Sequence, residues 1–267
     1  MSEQVLTKID GAVARITFNR PEVRNAVNHE MLITMREFLK RIEHDAAVRC
    51  IVLSGAGEHF MSGADVGNFK EPLNTPNDQR KRDFEARVQG TAGLFVMLAR
   101  MPQPVIASVR GAVAGAALGF VAGADFVVCG SNSIFVLAHV RIGACPDGSS
   151  TYYLPRVLGV RKAKELAILG EKIGAEEARQ FGLVNFVVPD AQVESKTEEL
   201  AKKITDAPRR SVQWAKRLMN DSLDNSLETQ LQGEAQGFGE CAGSDDFAEG
   251  VSAFLEKRAA RFNRDGD

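Results

Sequence analysis

Four glycines stand four residues apart in RGAVAGAALGFVAGAD: Gly111, Gly115, Gly119 and Gly123. That spacing predicts a helix with one bare side, whose backbone can press against a strand, a ligand or another helix. Small residues at this spacing also pair helices inside membranes. Here the uncharged run covers only residues 111–124, between Arg110 and Asp125, and falls short of the ~20 residues a bilayer requires. A fold in water is expected, with no membrane partner.

The segments around this run alternate strand and helix signals. RCIVLSGAG and PQPVIASV are continuous apolar runs, as in strands buried on both faces, and DFVVCG and SIFVLA follow as two more. VARITFNRPE starts as a short strand and breaks at Pro21. Asn28 is placed to cap a helix carrying Leu32, Met35, Phe38, Leu39 and Ile42 on one face. A second helix should carry Phe84, Val88, Phe95 and Leu98. Between them GNFKEPLNTPNDQR (67–80), with two prolines and three asparagines, reads as a loop and candidate flap.

The last third changes character. GVRKAKELAILG, GAEEARQFG, QVESKTEELAKKI, RSVQWAKRLM and residues 226–261 favour helix, with LVNFVVP as one further strand. The expected architecture is α/β: repeated strand–strand–helix units over residues 1–200, followed by a helical region over 201–267.

A chain of 267 residues, 44% hydrophobic and 25% charged, can bury a sizeable core. Its net charge of −2 gives no general attraction to phosphate backbones. QRKRDFEAR (79–87) is the most basic segment, but Asp83 and Glu85 make it read as a solvated helix start, and no nucleic-acid partner is expected. Cys50, Cys129, Cys145 and Cys241 form no CxxC pair and have no histidine at ligand spacing, so neither a metal site nor a disulfide framework is indicated. The N-terminal MSEQVLTKID lacks the apolar stretch of a secretory signal, and a cytoplasmic location is expected. GxxxxGK[ST], GxGxxG, GxSxG and HExxH are all missing, which removes support for phosphate-loop, dinucleotide, serine-hydrolase and zinc-peptidase chemistry.

Two small-residue stretches remain, FMSGADV (60–66) and GAVAGAALG (111–119), each where a strand gives way to a turn or helix. Such stretches expose backbone N–H groups to a ligand, or serve as tight turns. Asp147, in IGACPDGSSTYYLPRVLG, is either a turn residue or the working acid of a site.

Taken in order, NRPEVRNAVN, FMSGADV, QPVIASVRGAVAGAALG, IGACPDGSSTYYLPRVLG, AEEARQFGLV and EGVSAFLEKRAARF resemble the enoyl-CoA hydratase/isomerase (crotonase) family from about residue 8 to 262. Within it the run PDGSSTYYLPR looks most like the ring-opening, oxepin-forming isomerase branch of phenylacetate breakdown. The resemblance implies a crotonase-like spiral of ββα units with a C-terminal helical trimerisation region, assembled as a homotrimer or dimer of trimers. It implies an acyl-CoA thioester as substrate, with coenzyme A entering as part of it and no separate cofactor.

The thioester oxygen would be held by the N–H groups of Ala64, after Gly63, and Ala116, after Gly115. Asp65, Gly119 and His139 would line the acyl-CoA site, while Phe238, Phe254 and Lys257 would approach the adenine and phosphate end, from the same or a neighbouring subunit. The two glutamates that activate water in the family's hydratases fall on Gly119 and His139 here, so two-glutamate hydration is not expected. Asp147 falls where the family's isomerases carry an acid/base carboxylate, a task that favours an apolar pocket able to raise its pKa. His139 is either a second polar group near the acyl chain or a hydrogen-bonded structural histidine, and nothing marks Cys145 as a nucleophile.

Three alternatives are carried: a hydratase with a non-standard acid/base, an acyl-CoA dehalogenase using Asp147 as nucleophile, and an RNA-binding member of the family. The dehalogenase would need a histidine on the helix before PQPV, and residues 81–100 contain none.

Overall fold

In the computed structural model, which describes residues 3–262, β1 (Val5–Asp10) and β2 (Val13–Phe18) form an antiparallel hairpin, with Gly11 taking a positive φ at the turn. After β2 a turn at Pro21–Val23 leads into Asn25, which is fully buried. Its side chain accepts from Arg20 N–H (2.9 Å) and donates to the carbonyls of Ala56 (2.9 Å) and His59 (2.6 Å). This polar residue thus ties the first loop to the one after β3 (Cys50–Gly55). Helix α1 (His29–Ile42) starts as the sequence predicts, with Asn28 Oδ1 accepting from Met31 N–H at 3.0 Å. Met35, Phe38, Leu39 and Ile42 are buried along one face, and Leu32 is half-buried.

The chain continues through α2 (Asn77–Arg100), β4 (Val105–Val109), β5 (Ala112–Ala114), α3 (Ala117–Ala122), β6 (Phe126–Gly130) and β7 (Ile134–Val136). Then come α4 (Ser150–Leu158), α5 (Val160–Leu169), β8 (Lys172–Gly174), α6 (Ala175–Gln180), β9 (Phe186–Val188) and α7 (Val193–Asp206). The last helices are α8 (Arg209–Asp221), α9 (Leu227–Ala242) and α10 (Asp245–Leu255).

The larger sheet runs β1-β2-β3-β4-β6-β9, parallel from β2 onward, and the smaller runs β5-β7-β8. Successive strands change sheets: β4 lies in the large one and β5 in the small, then β6 in the large and β7 in the small. Met61, after β3, extends the same pattern by bridging to Val113 of β5. Each turn of the resulting spiral therefore gives one strand to each sheet before a helix covers them.

The central strands β3, β4 and β6 are buried on both faces, which explains their unbroken apolar runs. On β3, Ile51 and Leu53 face the main core with Phe18, Phe60 and Phe120, while Cys50 and Val52 face a second core under Val193, Leu200, Ala201 and Ile204 of α7. Residue 201, where the helical region was expected to begin, thus lies inside a helix that covers the sheet. Helices α8 to α10 follow it and carry many exposed apolar side chains, among them Met219, Leu227, Phe238, Phe254 and Leu255.

The helix expected across the four spaced glycines does not form as one unit. Gly111 and Gly115 take φ of 57° and 56° and bracket the short strand β5; Gly119 alone lies within α3, and Gly123 closes it. The bare backbone is nonetheless used for close approach, since a Cβ on Gly123 would meet the Tyr153 ring at 2.9 Å. The segment 67–80 is also more ordered than its composition suggests. Pro72 opens a 3-10 turn at Pro72–Asn74 and Pro76 precedes α2, so both prolines start helical turns where they were expected to break structure. Among the described residues no helix is long and apolar enough to cross a membrane.

Candidate active site

A cavity of about 1130 Å³ opens between α2, the two glycine turns and the segment 138–151. Its first wall is Ser62–Ala64. Val27 N–H donates to Gly63 O (2.7 Å) and Asp65 N–H to Val27 O (2.9 Å), so Ala64 pairs with Val27 through its neighbours and its own N–H is left free of that ladder. The second wall is the step from β5 into α3. Gly115 N–H donates to Val136 O at 3.0 Å, and Ala116 starts the helix with φ −59°. Among the described residues neither Ala64 N–H nor Ala116 N–H has a protein acceptor, and both residues are half-buried in the cavity wall.

The two turns lie against each other. A Cβ on Gly115 would stand 3.7 Å from Gly63 Cα, and one on Gly63 only 2.8 Å from Ala114 O. The positive φ values fall on Gly63 (93°) and Gly115 (56°), so Ala64 and Ala116 keep backbone angles open to any residue. Alanine therefore serves at both donor positions without strain.

Asp147 and His139 form the next part of the wall. His139 sits in a 3-10 turn (Ala138–Ile142) ended by Gly143 at φ 70°, which turns the chain back so that Ala144 N–H reaches His139 O. His139 Nε2 then lies 3.0 Å from Asp147 Oδ1, with side chains 11% and 33% exposed. Asp147 is fixed from behind, where its carbonyl accepts from the N–H (3.1 Å) and Oγ (2.6 Å) of Ser150 at the start of α4. Its Oδ2 has no protein partner among the described residues. The pair abuts the second amide turn on both sides: a Cβ on Gly115 would be 3.7 Å from the His139 ring, and one on Gly148 would be 2.9 Å from Ala116 Cβ.

Other residues named from sequence fall elsewhere. Gly119 lies behind the cavity wall, packed on Gly148 so closely that any side chain there would overlap the Gly148 carbonyl. Asp65 does not line the cavity: Oδ2 pairs with Arg20 Nη1 (2.8 Å), and Oδ1 accepts from Gly67 N–H (3.1 Å). Phe238, Phe254 and Lys257 lie on or just after α9 and α10, and none lines this cavity within one chain. Phe238 instead stacks edge-on against Phe247, centroids 6.1 Å apart.

Conversely, Phe69 and Phe84 meet edge-on (5.0 Å) in the cavity wall, with the Arg87 guanidinium over Phe69 at 5.0 Å. Arg80 and Lys81 line it too. These cations belong to the segment read from sequence as a solvated helix start; their alternation with Phe84 was the available signal. A second cavity of about 990 Å³ lies between α2, α4 and α8 and shares Val88, Thr91, Phe95, Gly148 and Ser149 with the first. Among the described residues no three His, Cys, Asp or Glu side chains are grouped to hold a metal ion.

The family profile for enoyl-CoA hydratase/isomerase matches residues 8–265. A 1,2-epoxyphenylacetyl-CoA isomerase of Escherichia coli (strain K12) is 35% identical over 263 residues, 98% of this chain and 99% of that protein. A short-chain-enoyl-CoA hydratase of Clostridium acetobutylicum is 34% identical over 257 residues, 95% of each. The crystal structure of an enoyl-CoA hydratase from Bacillus anthracis superposes with a TM-score of 0.88 at 31% identity, over 97% of this chain and 99% of the other. With its two-sheet spiral, helical C-terminal region and these likenesses along nearly its whole length, the chain has the crotonase fold and belongs to the enoyl-CoA hydratase/isomerase family.

Proposed function

We propose that the protein moves a double bond within an enoyl-CoA thioester, using Asp147 to carry the proton and the N–H groups of Ala64 and Ala116 to hold the thioester oxygen. The observation that carries this reading is the free Asp147 Oδ2 in the wall of a cavity that also holds two unpaired amides. The carboxylate takes a proton from a carbon next to, or conjugated with, the thioester. Electrons move onto the carbonyl oxygen to give an enolate, which each preorganised donor stabilises by about 3–4 kcal/mol relative to its absence. Return of the same proton two carbons along regenerates the carboxylate and leaves the double bond shifted. No water is consumed.

Hydration needs groups that orient and activate water. The first of the two family positions for that task is Gly119, which the Gly148 backbone closes, and the second is His139. The pairing of His139 with Asp147 favours one secondary reading, hydration in which that pair polarises a water. The exposed apolar side chains of α9 and α10 are where a trimer, or a dimer of trimers, would close, bringing Phe238, Phe254 and Lys257 toward the coenzyme A of a neighbouring subunit.

The test is to incubate wild-type and Asp147→Asn proteins with 3-enoyl-, 2-enoyl- and ring-containing acyl-CoAs, following double-bond migration and water addition separately. Migration by the wild type and its loss in the Asn variant are expected. Rapid hydration of 2-enoyl-CoA that survives Asp147→Asn would overturn the assignment.

A further inference from the structure

The role of His139 follows from counting its protons. Nε2 lies 3.0 Å from Asp147 Oδ1, while Nδ1 is buried with no hydrogen-bond partner. A proton on Nδ1 alone would bury an unpaired donor and turn the Nε2 lone pair toward the carboxylate. An imidazolium would bury an unpaired N–H on a charged ring, and unmet hydrogen bonds cost most on charged groups. A neutral ring protonated on Nε2 leaves only an acceptor lone pair unmet and gives Asp147 Oδ1 a donor.

We infer that His139 is a positioning residue: from its neutral, Nε2-protonated form it anchors Asp147 Oδ1, so that Oδ2 is the oxygen that carries the proton. This rests on Asp147 as the acid/base of the proposed reaction. Transfer between two carbons of one bound acyl chain requires an oxygen that pivots without leaving the substrate. The Asp147 main chain is held at its carbonyl by Ser150, and with Oδ1 held by His139 the remaining freedom lies at Oδ2. The His139 ring lies beside Gly115, where an added Cβ would be in ordinary van der Waals contact with it at 3.7 Å, so the anchor stands next to the turn that bears the Ala116 amide.

Two variants and one spectroscopic measurement test the inference. His139→Gln keeps an N–H donor, whereas His139→Leu keeps bulk without one. The Leu variant should lose about 10- to 100-fold in kcat with KM within about twofold, the size expected for one hydrogen bond to a charged group. The Gln variant should recover most of that loss. Independently of turnover, ¹⁵N spectra of the histidine ring, assigned by difference from His139→Gln, should show the proton on Nε2 and none on Nδ1 at neutral pH.

A ring protonated on Nδ1, an unchanged kcat in the Leu variant, or equal losses in two variants with wild-type circular dichroism would each overturn the inference. Retained migration in Asp147→Asn would instead sink the reading of Asp147, while the ring spectrum would still decide the hydrogen bond.

Discussion

Gly119 and Gly148 meet through bare backbone, and a Cβ built on Gly119 would overlap the Gly148 carbonyl oxygen. The strand-to-helix step at β5–α3 and the turn bearing Asp147 are therefore locked face to face, with no space for a side chain between them. Gly119→Ala should lower unfolding free energy by at least about 2 kcal/mol, at the upper end for overpacking, because backbone and not a flexible side chain blocks the way. Gly119→Glu should be worse and should gain no hydratase activity. Urea unfolding monitored by circular dichroism checks the first expectation; a wild-type midpoint for Gly119→Ala would mean the two segments stand further apart.

Ala116 offers a way to delete one donor without breaking a protein hydrogen bond, with the proline ring Cδ then occupying the place of the N–H hydrogen. Its φ of −59° suits proline, it stands at a helix start where proline is tolerated, and its N–H has no protein partner to lose. Ala116→Pro should keep its thermal midpoint within a few degrees while kcat/KM falls by at least about 10²–10³, the usual loss on removing one oxyanion donor, because Cδ also crowds the oxygen. Activity within a factor of three of wild type would remove Ala116 from the proposed site.

Much of this arrangement was legible from local signals, and the misreadings share one cause. Helix α1 is announced by Asn28 and an apolar period that local sequence alone enforces. Strand β5 has three residues and owes its existence to partners far along the chain, β7 and Met61, so no periodicity betrays it. Its flanking glycines are there for positive φ, and their four-residue spacing from Gly119 imitates a helix face. Asp147 could be picked out from its turn and the family motif. Its bond to His139 depends on the left-handed step at Gly143, which spacing does not encode.

Asp65 was expected in the acyl-CoA site, yet its oxygens are engaged within the protein. Arg20 bridges Asp65 Oδ2 and Ala26 O, both at 2.8 Å, and so braces the turn that presents Ala64. Asp65→Asn retains an oxygen for Gly67 N–H but loses the charge, and should cost about 1–2 kcal/mol for a largely shielded charge-assisted bond. Asp65→Ala should cost more, since Gly67 N–H then loses its acceptor. Both should reduce kcat more than they raise KM if the brace acts through Ala64, and chemical denaturation alongside steady-state kinetics measures the two effects. A rise in KM alone would return Asp65 to substrate binding.

The buried thiols set an alkaline limit on stability. Burial pushes Cys50, wedged between the sheet and α7, up to about 12, and burial likewise raises Cys129 to about 12. In the unfolded chain a thiol titrates near 8.5. Between those values the unfolded state gives up a proton that the folded state keeps, so stability is fully present below the lower value and declines as pH rises toward the upper one. The decline approaches about 1.4 kcal/mol per pH unit for a thiol as deeply buried as Cys50. Cys50→Ala should therefore be less stable than wild type at pH 7.5, through lost packing, and lose less on going to pH 10. Urea unfolding at pH 7.5, 9 and 10 gives both slopes. Maleimide labelling at pH 7.5 should meanwhile modify the exposed Cys145 far faster than either buried thiol, and more slowly when an acyl-CoA fills the cavity that Cys145 lines. Parallel pH slopes for the two proteins would mean that the Cys50 thiol titrates alike in the folded and unfolded chain.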